Sequence, residues 1–182
     1  MLIFHWYKKQ GIVNFFPNYL NIEKQHFNCY FKQMIMILEV QPYMRLGQFK
    51  IGAGKQEISQ QLDGDTQDAI DEASQDAYPH LGLTFDYDEE GRCVTISASV
   101  PAAAMYEGLN LLATPFAAIK ERYPNYTRMG NNAVLLIDLG IGLTFGNPEN
   151  LDRQLPKQVS IYARAIIEEQ IRDLESWYRM SC

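Results

Sequence analysis

The chain has 182 residues, 47% of them hydrophobic and 21% charged, which excludes wholesale disorder and gives enough material for one domain with a core of its own. A formal net charge of −6 argues against a nucleic-acid surface. The three cysteines, Cys29, Cys93 and Cys182, are scattered and form no CxxC pair. A disulfide scaffold or structural zinc site is therefore not expected, and a reducing, cytoplasmic setting is the simplest expectation. No apolar run reaches the roughly 18 residues of a membrane span, so no membrane partner is expected.

Residues 1–45 hold ten of the 22 aromatics, five basic residues and two acids. Their apolar positions follow neither a helical nor a strand period, and Pro17 and several Asn interrupt them. Two readings stand for the first 35 residues: a basic aromatic arm that docks on a partner, or an extension outside the packed fold, which begins near Met34 or Met36 and continues to residue 182. The run Ile35 to Val40 is β-like.

From about residue 45 the chain repeats itself. Gly82-Leu83-Thr84-Phe85 returns as Gly142-Leu143-Thr144-Phe145, and Val94-Thr95-Ile96-Ser97-Ala98 is matched by Val159-Ser160-Ile161-Tyr162-Ala163. Upstream, Phe49-Lys50-Ile51 parallels Leu109-Asn110-Leu111. Only two copies exist, which points to a pseudo-symmetric domain rather than an array.

In the first copy, about 45–100, Lys55 to Leu62 reads as a helix closed by Gly64. A second helix is expected from a cap at Asp65 or Thr66, with Ala69, Ile70, Ala73 and Ala77 on one side and Pro79 at its end. Leu83, Phe85 and Tyr87 alternate with Thr84 and Asp86, the period of a half-buried strand. Asp88 to Gly91 turns the chain, and Val94, Ile96 and Ala98 face inward on the return.

In the second copy, about 106–164, Pro115 opens a helix that buries Phe116 and Ile119 and stops before Pro124. Val134 to Ile137, Ile141 to Phe145 and Val159 to Ala163 read as strands. A last helix, about 165–178, carries Ile167, Ile171, Leu174 and Tyr178 as its apolar stripe, with Glu168–Arg172 and Glu175–Arg179 as i,i+4 pairs. The expected class is α+β: an antiparallel sheet from two helix-then-hairpin repeats, with helices on one face.

This layout of strand, helix and acid-turned hairpin resembles the two-repeat folds of the β-lactamase inhibitor protein and the small outer-membrane assembly lipoproteins. The run Asp138-Leu139-Gly140-Ile141-Gly142-Leu143 is similar to a motif of small uncharacterised bacterial proteins. The resemblance covers roughly residues 45–165 and implies a protein-binding sheet face. The lipid-bearing cysteine of one relative and the disulfides of the other are not matched by Cys93 and Cys182.

No cluster reads as catalytic, and no cofactor or metal is expected. Gly47 to Lys55 imitates a phosphate loop, but Phe49 stands where its first glycine belongs and Gln56 replaces the magnesium-holding hydroxyl. Asp86 to Gly91 imitates the start of a calcium loop, but Ser97 holds the position of the bidentate glutamate. His5, His26 and His80 are isolated.

The most informative surface feature is acidic: eleven acids and no Lys or Arg between Glu57 and Glu90. The functional reading is a face that binds a basic protein, such as an immunity-type inhibitor binding a toxin, through Asp65, Asp68, Asp71, Glu72, Asp76, Asp86, Asp88 and Glu89. The plain reading is a solvated surface that keeps the chain soluble. The competing classes are a small-molecule or enzymatic domain with a pocket between sheet and C-terminal helix, and a self-associating structural subunit.

Overall fold

In a computed structural model, residues 35–62, 70–71 and 74–180 are described, with 70–71 and 173–180 described through the backbone alone. The aromatic N-terminal segment therefore lies outside the described residues, as do Gly64 and the proposed cap at Asp65 or Thr66. Among the described residues the fold is α+β, with three α-helices and two mostly antiparallel sheets.

The first sheet has five short strands: β1 (Ile37–Gln41), β2 (Arg45–Leu46), β3 (Phe49–Lys50), β8 (Ala103–Tyr106) and β9 (Leu109–Asn110). Their order is β3-β2-β1-β8-β9, and β1 runs parallel to β8, with Ile37 opposite Ala103. The second sheet is antiparallel throughout. It contains β4 (Ile70–Asp71), β5 (Gln75–Tyr78), β6 (Leu83–Tyr87), β7 (Cys93–Ser99), β10 (Tyr126–Met129), β11 (Ala133–Leu136), β12 (Ile141–Thr144) and β13 (Gln158–Tyr162). Its order, β10-β11-β12-β13-β7-β6-β5-β4, reads outward from a central β13–β7 pair with three strands on each side. The two copies of the Gly-Leu-Thr-Phe run lead into β6 and overlie β12, the strands that flank that pair.

Sheet pairing explains the core. In β6 the period-two pattern sends Leu83, Phe85 and Tyr87 to the buried side and leaves Thr84 and Asp86 half-exposed on the other. In-register neighbours share a face, so Ile96, Ile161 and Ile141 join Phe85 on the inner side. The smaller sheet and the short helices cover that side. Phe49 of β3 meets Phe85 edge-on at 5.0 Å between ring centroids. Phe116 of helix α2 (Phe116–Arg122) meets Phe145 at 5.4 Å and Tyr126 at 5.3 Å. Ile58, the buried residue of helix α1 (Lys55–Gln61), belongs to the same apolar cluster.

Both short helices start where expected. Gly54, extended, precedes α1, and Pro115 immediately precedes α2 with no donor to lose. Lys120 and Arg122 in the last turn of α2 suit the negative end of its dipole. Helix α3 (Arg164–Met180) closes the described chain, with Ile167 buried near its start.

Two expectations are corrected. Residues 70–71 and 75–78 are strands, not one side of a helix: β5 pairs along its length with β6, and Asp76 and Tyr78 point inward. The strands also form two sheets instead of one, because β1 and the β8–β9 hairpin pair with each other and not with the main sheet.

Candidate functional site

The acidic residues the structure describes divide among three settings. Asp88 and Glu89 sit in the β6–β7 turn. The Asp88 Oδ1 accepts hydrogen bonds from the backbone N–H groups of Arg92 (2.8 Å) and Glu90 (3.1 Å), and its Oδ2 faces Arg92 Nε at 3.3 Å. The Arg92 backbone bond first, then the guanidinium and the Glu90 backbone bond, hold this carboxyl below the usual range. Glu90 pairs with the same guanidinium, while Glu89 is exposed. The turn that imitates a calcium loop is thus closed by its own side chains and Arg92.

Asp76 corrects the sequence reading of a partner-facing acid. It is 3% exposed and points into the core beside Tyr78. Tyr87 Oη donates to its Oδ2 at 2.9 Å, and Lys55 Nζ lies 2.9 Å from its Oδ1. The same ammonium stands 5.4 Å from the centre of the Tyr87 ring. A buried carboxylate needs partners of this kind. Burial, then the bond to Asp76, raises the Tyr87 phenol well above its ordinary value. Next to it, burial pushes the Cys93 thiol up to about 12, and that thiol donates to the Thr95 carbonyl at 3.3 Å. A thiol held protonated is a poor nucleophile. This cluster ties α1 to β5 and β6.

Asp86 lies on the opposite, outer side of the sheet. It pairs in register with Gln75 and Thr95, and Thr95 with Tyr162, so these four side chains form one lane across β5, β6, β7 and β13. Gln75 Nε2 donates to Asp86 Oδ1 at 2.6 Å. The next lane holds Thr84, Ser97, Ser160 and Gly142. Ser97 and Ser160 share a hydrogen bond of 2.8 Å between their hydroxyls, and Gln158 Nε2 donates to Ser160 at 3.4 Å. The Tyr162 ring lies over Gly142, where any Cβ would come within 2.7 Å of it. Burial first, with a smaller contribution from Asp86, raises the Tyr162 phenol.

Of the other acids read as partner-binding, Asp65, Asp68 and Glu72 lie outside the described residues. Asp71 is described through its backbone, opposite Asp76 in the β4–β5 pair. The structure therefore brings Asp86, Asp88 and Glu89 to one end of β6 and sends Asp76 to the other face. Gln75, Tyr87 and Tyr162 carry no motif in sequence. Lys55 drew attention only as the end of an imitation phosphate loop, and its role follows from a long-range pairing.

Thr95, Ser97 and Ser160 in these lanes are buried, which leaves the carboxylates of the β6–β7 end as the exposed polar chemistry. A depression of about 30 Å³ beside Leu135, Gly142 and Tyr162 is water-sized, against the several hundred Å³ of a small-molecule pocket. Among the described residues no group of three or more His, Cys, Asp or Glu is placed to hold a metal ion, and no helix is long and apolar enough to cross a membrane. No protein-family model matches the chain, and neither a curated protein nor a solved structure is similar to it.

Proposed function

We propose that this chain is a non-catalytic bacterial protein-binding domain that engages a basic partner through the acidic half of its main sheet, as an immunity-type inhibitor engages a toxin. One observation carries the reading: two halves with matched strand order differ sharply in charge. Residues 70–99, which span β4 to β7, carry seven acids and one arginine, whereas residues 126–162, which span β10 to β13, carry three acids and three bases. The framework explains the shared apolar residues and uses Asp76 and Asp88, yet the first half still carries a net excess of negative charge that the second half lacks. Such a field steers an oppositely charged protein into encounter and raises its association rate. The resemblance read in the sequence to the layout of the β-lactamase inhibitor protein goes with a protein-binding role, and the buried, unbridged Cys93 goes with a cytoplasmic setting.

The test is capture of a partner from native lysate at low and at high salt, with the wild-type chain and a charge-reversed variant at Asp68, Asp71, Asp86 and Asp88. The expected partner has a basic isoelectric point and is lost with salt and with charge reversal. A partner retained equally by both chains at both salts defeats the electrostatic reading.

A further inference from the structure

Each sheet ends in strands with one open side. Among the described residues these are β3, β4 and β9, of two residues each, and β10, of four. An open edge presents backbone donors and acceptors to any extended chain, and natural folds keep such edges short or charged. The charge on β10 is Arg128, which is exposed and, among the described residues, in no ion pair.

The direction of the β10 backbone groups follows from the pairing. Asn125 accepts from the Ile137 N–H at 3.1 Å, and hydrogen-bonded positions alternate along an antiparallel pair. Thr127 and Met129 therefore bond to Leu135 and Ala133, while Tyr126 and Arg128 turn their N–H and C=O groups to the open side. The far side of β11 agrees. Asn132 accepts from the Phe145 N–H, which turns residues 134 and 136 toward β12 and leaves 133 and 135 for β10. Tyr126 and Arg128 share a face of the sheet with Leu136 and Val134. The Tyr126 ring rests on Phe116 and is still 36% exposed.

We propose that β10 is a dimerisation edge, which pairs antiparallel with β10 of a second copy of this chain about a two-fold axis at Thr127. In that register Tyr126 of one copy and Arg128 of the other form a hydrogen-bonded pair, twice by symmetry, and the outward backbone groups of both residues are satisfied. The side chains of each pair lie on one face, so the guanidinium meets the tyrosine ring. Thr127 faces Thr127 across the axis, on the other face. The adjacent registers fail. A slip one way sets Arg128 against Arg128, and a slip the other way sets it against Pro124, which has no N–H to give. Arg128, a guard against indiscriminate edge pairing, thus admits one alignment. The contact lies at the outer edge of the second copy and leaves the acidic half of each chain clear.

Sedimentation of the full chain over a concentration series tests the proposal, and the expected result is a monomer that passes to a dimer. Arg128→Ala should weaken association about tenfold, because two exposed cation–π contacts are lost at once. Arg128→Pro should abolish it, since an outward N–H is removed while every bond to β11 stays. Amide shifts in β11 and β12 that match the wild type certify the fold of that variant. Thr127→Cys reads the register. Facing Cα atoms at a non-hydrogen-bonded pair lie about 4.5 Å apart, within disulfide reach. Mild oxidation should therefore link two Thr127→Cys chains well above the wild-type background, and Met129→Cys chains should stay at that background. A monomer at every concentration, a dimer that survives Arg128→Pro, or linkage that favours Met129→Cys overturns the proposal.

Discussion

Ile96 and Ile161 face each other across the central β7–β13 pair, and each occupies the same position in its own copy of the matched sequence. The flanking strands do not repeat this match: Phe85 pairs with Ile96, whereas Ile141 and not Phe145 pairs with Ile161. The Ile96 and Ile161 side chains are both fully buried.

The first prediction concerns that contact. Ile96→Ala and Ile161→Ala should each cost about 2–5 kcal/mol through lost burial and a residual cavity. The double variant should depart from additivity by at least about 0.5 kcal/mol, because one cavity serves both sites. Urea unfolding of the four proteins checks this. Strict additivity would separate the two side chains energetically.

The buried pair of Lys55 and Asp76 supplies a second prediction. Lys55→Met leaves a carboxylate in the core with, among the described residues, the Tyr87 hydroxyl beside it, a change expected to cost about 3–5 kcal/mol. Lys55→Met with Asp76→Leu should cost much less than the sum of the single changes, since the second substitution removes the stranded charge. A double-mutant cycle in denaturant measures the difference.

A third prediction is an alkaline limb of stability. The Cys93 thiol rises from an ordinary 9.0 to about 12 in the fold. A raised folded value means that the unfolded chain loses the proton first. The stabilisation is therefore full below about pH 9 and declines as pH rises toward 12, with a limiting slope of about 1.4 kcal/mol per pH unit. Tyr87, also raised, adds to the loss above its ordinary 10.0. Cys93→Ala should flatten the limb between pH 9 and 10, and thiol-reactive dye should label Cys93 only on unfolding.

A fourth prediction concerns the seat of the C-terminal helix. Tyr43 adopts a left-handed backbone, φ 60°, that bulky residues rarely take. Its hydroxyl donates to the Ile137 carbonyl at 2.7 Å, and the Arg164 guanidinium lies 4.4 Å from its ring centre. Tyr43→Ala should speed amide hydrogen exchange at residues 164–172 while leaving β6 and β7 protected. Arg164→Ala should give a milder version, worth about 0.5–1 kcal/mol.

The legible parts of this fold were those whose polarity follows their period. Leu83, Phe85 and Tyr87 announce a strand, and Phe116 and Ile119 a helix, because each buries apolar groups at the spacing its backbone dictates. Residues 75–78 defeated that logic. Here the inward positions are Asp76 and Tyr78, and a carboxylate at a core position hides the alternation. Its justification, Lys55, comes from a distant helix. Of the smaller sheet only the β-like run that became β1 was legible, because two-residue strands such as β2, β3 and β9 carry no period. Of the candidate site, the Asp88 turn was readable locally. The separation of Asp76 from Asp86 onto opposite faces was not, since it depends on strand pairing.

The parallel pairing of β1 with β8 has a consequence for how the protein is made. Ile37 meets Ala103 only after the whole first half of the main sheet has left the ribosome. Until then β1 and the β2–β3 hairpin, with Leu38, Leu46 and Phe49 destined for full burial, lack the neighbour that completes their sheet. The nascent first half therefore carries a sticky, unfinished edge through synthesis, and a chain cut after Ser99 would be a client for holding chaperones rather than a miniature of the fold.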